Sequence, residues 1–159
     1  MNQEDFEITF LSAEEAPRRQ WEIPKNAVQV GEIAEGDLHL YIGQELLHQM
    51  DALAGFDLRR ETGCFLVGDY LEQDGQLCAI VAGFIEARYA DASSASLTFT
   101  HETWQYVSSQ LEEHFAGMRI LGWQHTHPGY GVFLSQHDLF IQENFFNLPY
   151  QIAYVIDPI

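Results

Sequence analysis

The chain has 159 residues, enough to close one substantial hydrophobic core and too few for two comfortable domains. Its formal net charge of -17 repels phosphate backbones and anionic lipid, which argues against nucleic-acid and membrane-surface partners. A basic protein partner stays open, although acidity is also a common device for solubility.

Cys64 and Cys78 lack C-x-x-C spacing, so neither a disulfide framework nor a thiolate zinc knot is suggested, and both are expected to pack as small hydrophobes. The opening MNQEDFEITF has no basic region followed by an apolar core, and no stretch approaches the roughly eighteen apolar residues of a membrane span. A soluble protein of the reducing cytoplasm is the expectation.

Residues 1–37 carry nine acidic side chains against Arg18, Arg19 and Lys25. Phe6, Ile8 and Phe10 alternate as in a short strand, and Pro17 and Pro24 interrupt any long element, so this segment reads as an acidic extension lying on the domain or on a partner. A strand over 38–42 leads into a helix over 44–54, with Leu46, Leu47, Met50 and Leu53 on one stripe and Gly55 placed to end it. Residues 64–67 read as a buried strand, Asp74-Gly75 as a turn, and 77–85 as a long apolar strand antiparallel to the first. Residues 87–96 have loop composition, followed by a strand near 97–99. Thr100 is positioned to cap a helix with Trp104, Val107, Leu111 and Phe115 on one face, and Gly117 lies beyond its end. A strand over 119–124 enters the most distinctive stretch of the chain. Ser135 is placed to cap a helix through about residue 146, and 151–156 reads as a central strand. Strands and helices mix without a strict βαβ rhythm, so the fold class is α+β, or an α/β sandwich.

His125 and His127 are separated by one residue, and on a strand they point to the same face. Pro128 ends the ladder, Gly129-Tyr130-Gly131 permits a tight reversal, and Asp138 arrives from the first turn of the next helix. Two nitrogens and an oxygen form a ligand set suited to catalytic zinc with one position left for water. Each half has a plainer reading: paired histidines arise by chance, and Ser135-x-x-Asp138 is also the pattern of a helix capping box.

The stretches ETGCFLVG (61–68) and GWQHTHPGYG (122–131), with Ser135 and Asp138, resemble the JAMM or MPN+ (Mov34/MPN/PAD-1, JAB) metalloprotease family. That family is best known from the proteasome-lid deubiquitinase and the COP9 signalosome deneddylase. The resemblance spans residues 38–159 and implies a mixed β-sheet flanked by helices, of the cytidine-deaminase-like kind. It implies that His125, His127 and Asp138 hold one zinc ion, that Glu61 activates the water, and that Ser135 hydrogen-bonds the oxyanion. Spacing alone does not select Glu61 among 24 acids.

Trp123 is expected to pack beneath the histidine strand and Tyr130 to wall a substrate channel. His137 matches no family ligand, which leaves it a supporting or surface place; His39, His48, His101 and His114 are expected on helices or the surface. Phe140, Phe145 and Phe146 are expected to pack in the core and along a helix face.

The implied activity is hydrolysis of the bond after the C-terminal glycine of ubiquitin or a ubiquitin-like protein. A non-catalytic scaffold subunit and a zinc peptidase for small peptides or sulfur-carrier products are the alternatives. The strands and helix that follow residues 156–158 in familiar members are missing here. The expectation is therefore a shortened domain, or one completed by a partner chain.

Overall fold

The apolar run beginning at Gly63 organises the molecule. Successive side chains of an extended segment point to opposite faces. Phe65 and Val67 accordingly enter one apolar cluster and Cys64 and Leu66 another, all four fully buried. A strand that is apolar on both faces needs cover on both.

The computed structural model describes residues 20–159, so the expected strand at Phe6, Ile8 and Phe10 lies outside the described residues. Residues 20–38 carry no helix or strand. The elements that follow are β1 (His39–Ile42), α1 (Gln44–Ala54), β2 (Gly63–Gln73), β3 (Gln76–Glu86), β4 (Asp91–Ala92), β5 (Leu97–Thr98), α2 (His101–His114), β6 (Arg119–Thr126), α3 (Gln136–Phe145) and β7 (Ile152–Ile156).

Five strands form one sheet in the order β1-β3-β2-β6-β7. β2 runs antiparallel to β3 and β6, while β1 with β3 and β6 with β7 are parallel pairs. Met50 of α1 covers the Cys64 and Leu66 face. Val107 of α2, Ile141 of α3 and Phe146 cover the Phe65 and Val67 face, with Trp123 between them. The result is the expected mixed sheet flanked by helices, with β1 and β7 as its open edges.

β2 and β3 are longer than their apolar runs predict. Asp74 (φ 53) and Gly75 (φ 78) both adopt left-handed backbone, the geometry of the tightest hairpin turn, and it carries the pairing out to Gln73 and Gln76. Gly55 ends α1 but with φ -78, in the right-handed region.

The predicted loop at 87–96 also differs. Its second half folds back so that β4 and β5 make a separate two-stranded hairpin. Phe146 is in the core, but Phe140 is 57% exposed, and Phe145 stacks on Trp104 while remaining half exposed. Both cysteines are buried and free, Cys64 donating weakly to Gln124 Oε1. Among the described residues no helix is long and apolar enough to cross a membrane.

Candidate metal centre

β6 places its even-numbered and odd-numbered residues on opposite faces, so Trp123 and His125 share the face covered by α2 and α3. The N–H of His127 donates to the Ile156 carbonyl at 2.9 Å, which continues the extended pairing one residue past the strand and brings its ring to the same side. The two Nε2 atoms lie 3.0 Å apart.

α3 supplies the carboxylate through its cap. Asp138 N–H donates to Ser135 Oγ at 3.1 Å, and Ser135 N–H donates to Asp138 Oδ2 at 2.7 Å. The capping box is therefore real, and it coexists with the cluster. Asp138 Oδ1 stands 3.4 Å from His125 Nε2, and Oδ2 stands 3.4 Å from His127 Nε2. The ligand atoms of His125, His127 and Asp138 all lie within 4.8 Å of one another, and all three residues are buried.

The donor chemistry fits a divalent cation. His127 Nδ1 sits 3.3 Å from the Gly131 carbonyl, which can only accept, so Nδ1 carries the proton and Nε2 turns a lone pair toward the cluster. Buried lone pairs and a carboxylate crowded in this way call for a positive charge between them. Two imidazoles and one carboxylate leave one tetrahedral position open, as in catalytic zinc sites.

Burial holds His125 below its ordinary value in spite of Asp138, favouring the neutral ring that ligates metals. Burial pushes the Asp138 carboxyl upward, but hydrogen bonds from His125 and from the side chain and backbone of Ser135 outweigh it. The group stays well below the usual carboxylate range.

Glu61 reaches the same centre from the residues just before β2. Its Oε1 lies 3.8 Å from His127 Nε2, and its Oε2 is buried with no hydrogen-bond partner. Desolvation, with Asp138 nearby adding repulsion, pushes its carboxyl up to about 7. Two backbone links set its position. Glu61 N–H donates to Ser93 O at 2.8 Å. Thr62 N–H donates to Thr126 Oγ1 at 2.8 Å while Thr126 N–H returns to Thr62 O at 2.9 Å. The residue between the two histidines is thus tied to the residue after Glu61.

Residues 62–148, more than half of the chain, match the JAB1/Mov34/MPN/PAD-1 ubiquitin protease family. The chain belongs to this family. Its sheet and flanking helices are those of the MPN/JAB fold. A stretch of 73 residues is 38% identical to NAD(+) hydrolase TcpA of Theionarchaea archaeon, covering 45% of this chain and 22% of that protein. A stretch of 41 residues is 46% identical to 26S proteasome regulatory subunit rpn11 of Schizosaccharomyces pombe, covering 25% and 13%. A stretch of 59 residues is 44% identical to COP9 signalosome complex subunit 5 of Eremothecium gossypii, covering 35% and 13%. The aligned stretches thus span about a fifth or less of these relatives. The solution structure of protein DSY2949 from Desulfitobacterium hafniense shares the fold at a TM-score of 0.53 and 18% identity, over 76% of this chain and 74% of that one.

Within this JAB domain Trp123 is wholly buried and stacks on His125, ring centroids 4.2 Å apart, with its indole N–H donated to Gln142 Oε1 at 2.9 Å. It backs the ring and touches no solvent. Tyr130 stands 57% exposed on the turn after His127. His39, His48, His101 and His114 lie outside the metal-capable cluster. His137 turns away from it, toward Leu97 and Thr98.

Three contributors escape a reading of spacing. Thr62 and Thr126 form the clamp just described; alternation already sends Thr126 to the face opposite the histidines, which hints at a packing task. Asp157 accepts the N–H groups of Gly129 and Gly131, each at 2.8 Å, and so fixes the turn whose Gly131 carbonyl orients His127. No local signal marks it, because the contact exists only once β7 lies parallel to β6.

Proposed function

We propose that residues 38–159 form a zinc-dependent isopeptidase or peptidase domain, with residues 1–37 as an acidic extension. It hydrolyses the bond after the C-terminal glycine of ubiquitin or a ubiquitin-like protein. The observation that carries this reading is the placement of a buried Glu61, with one free carboxylate oxygen, against the His125, His127 and Asp138 cluster.

His125, His127 and Asp138 would hold the zinc ion, which when bound would supply a Lewis acid for the scissile carbonyl and for water. Glu61 Oε2, which has no other partner, takes the proton and returns it to the leaving amine. Ser135 Oγ already accepts the Asp138 N–H, so its own hydrogen is free for an oxyanion that forms only in the transition state. An extended, glycine-ended tail suits such a site because it lies flat beside a sheet edge.

Relatives named as proteasome and signalosome subunits support the further reading that a partner chain works beside this domain. NAD(+) hydrolysis is not carried over, since the aligned stretch is 22% of TcpA. The intact five-residue set speaks against a purely scaffolding subunit. A peptidase for short or sulfur-carrier tails is the second reading, and short tail peptides are the substrates that test it.

Zinc-loaded protein would be incubated with ubiquitin-like fusions, conjugates and short tail peptides, beside Glu61→Gln and His127→Ala. The expected result is zinc bound by the parent and by Glu61→Gln alike, with hydrolysis lower in the variant by about 10²–10⁴-fold. Turnover of short peptides alone selects the second reading, retained activity in Glu61→Gln rejects it as the base, and equal zinc loading of His127→Ala removes the site.

A further inference from the structure

The β4–β5 hairpin stands apart from the main sheet, and strands of two residues each do not hold themselves together in water. Bonds between Ser93 and Ser96 close its turn and Thr100 Oγ1 ties its flanks by donating to the Tyr89 carbonyl, and three further attachments join it to the site. The first is the Ser93 carbonyl, which accepts the Glu61 N–H at 2.8 Å. The second is Leu97, only 2% exposed, seated on Gly63 so closely that a Cβ there would meet its Cδ2 at 2.6 Å. Gly63 is the β2 residue directly opposite His125, so this seat lies against the histidine strand.

The third attachment is His137, in the first turn of α3 between Ser135 and Asp138. Its Nε2 lies 3.2 Å from the Leu97 carbonyl and 3.1 Å from Thr98 Oγ1. A carbonyl only accepts, so Nε2 carries the proton and donates. The hairpin is therefore gripped at one end by the helix that presents Asp138 and, through its Ser93 turn, grips the backbone of Glu61. Two parts of the site that are far apart in sequence are joined through an element that belongs to neither.

We propose that His137 is a positioning residue: by pinning β5 to α3 it holds the hairpin against Glu61 and sets where that carboxylate stands relative to the metal ligands. Glu61 precedes the strand: the Thr62–Thr126 pair holds the residue after it, while its own amide is held by the Ser93 carbonyl of the hairpin, and misplacement by about 1 Å is enough to cost roughly 10²-fold in rate. The proposal rests on the hydrolase reading for its kinetic consequence, and on the hydrogen bonds alone for its structural one.

The test compares His137→Ala and His137→Gln, the latter keeping a side-chain N–H donor, by amide exchange at Glu61, zinc content, kcat and KM. His137→Ala is expected to bind zinc as the parent does, to exchange the Glu61 amide at least about 10-fold faster, and to lose about 10–100-fold in kcat with little change in KM. His137→Gln is expected to recover much of both losses. Leu97→Ala, which leaves His137 intact but removes the seat on Gly63, should loosen the Glu61 amide in the same way and covers the case in which His137→Ala fails to fold. Unchanged exchange at Glu61 in these variants overturns the proposal, as does a glutamine variant no better than alanine. If the parent cleaves no ubiquitin-like substrate or tail peptide, the hydrolase reading falls while the exchange measurement still decides the clamp.

Discussion

Helices α2 and α3 begin with the same device and put it to different uses. In α2, Thr100 Oγ1 accepts the Thr103 N–H and Thr103 Oγ1 accepts the Thr100 N–H, each at 3.2 Å, so two orphan donors are satisfied by neutral hydroxyls. In α3, Ser135 and Asp138 close the same reciprocal pair with a carboxylate in the third position. A carboxylate has more acceptor capacity than one backbone N–H consumes. The remainder faces His125 and His127, and a buried negative charge demands such company. A helix cap thus doubles as the mount that aims a ligand, and the local motif by itself does not say which service it performs.

Asp138→Asn should break that equivalence most sharply. Asparagine keeps an oxygen for the Ser135 N–H, so helix stability is expected to stay within about 1 kcal/mol of the parent. The charge is gone, and zinc affinity is expected to fall beyond the roughly 10–100-fold that loss of an outer partner costs, taking hydrolysis with it. Competition with a chelator, read beside a melting curve, separates the two. A variant that melts normally and still binds zinc tightly would deny Asp138 the role of ligand.

A matched pair sharpens the comparison further. Ser135→Ala and Thr100→Ala each remove a cap and should each cost about 1 kcal/mol in denaturant titrations. Only Ser135→Ala is expected to lower kcat as well, by about 10²–10³-fold with zinc retained. Equal kinetics in the two would leave Ser135 as a cap and nothing else.

What was legible beforehand follows from range. The α1 helix, the alternation that puts His125 and His127 together, and the Ser135-to-Asp138 spacing are all local, and all stand where spacing placed them. Glu61 is a different matter, because nothing nearby distinguishes it from the other acids; its partners are Ser93 and His127, both distant in the chain. Of the small hairpin, β5 falls where a strand near 97–99 is expected, while β4 is not legible because Asp91 and Ala92 lie in a stretch of loop composition and pair with β5 only across the Ser93 to Ser96 turn. Phe140 misled for the opposite reason: aromatic character predicts core, yet its position on α3 faces outward, away from Ile141 and Phe146. His137 turned away from the cluster because β5 offered its Nε2 a carbonyl.

The smallest expected effect tests how far the Gly129–Gly131 turn between β6 and α3 depends on charge where the α2 cap does not. Hydrogen bonds from the N–H groups of Gly129, Ile159 and Gly131 hold the Asp157 carboxyl below its usual range. Its value is therefore lower in the folded chain than in the unfolded one, and on acidification the unfolded state takes up the proton first. The stabilisation is present in full above the ordinary carboxylate value of about 4, and it drains away as pH falls through the lowered one. Asp157→Asn should accordingly melt below the parent at neutral pH, with a gap that closes toward about pH 3 and below. The Thr100→Ala gap, which removes no titrating group at the cap, should stay flat over the same range. Because the Asp157 contacts are short bonds to backbone N–H groups, moderate salt should change the gap little. A gap for Asp157→Asn that does not narrow in acid would mean that asparagine disturbs the packing of the turn, and that the ionised carboxylate is not what holds Gly129 and Gly131 in place beneath His127.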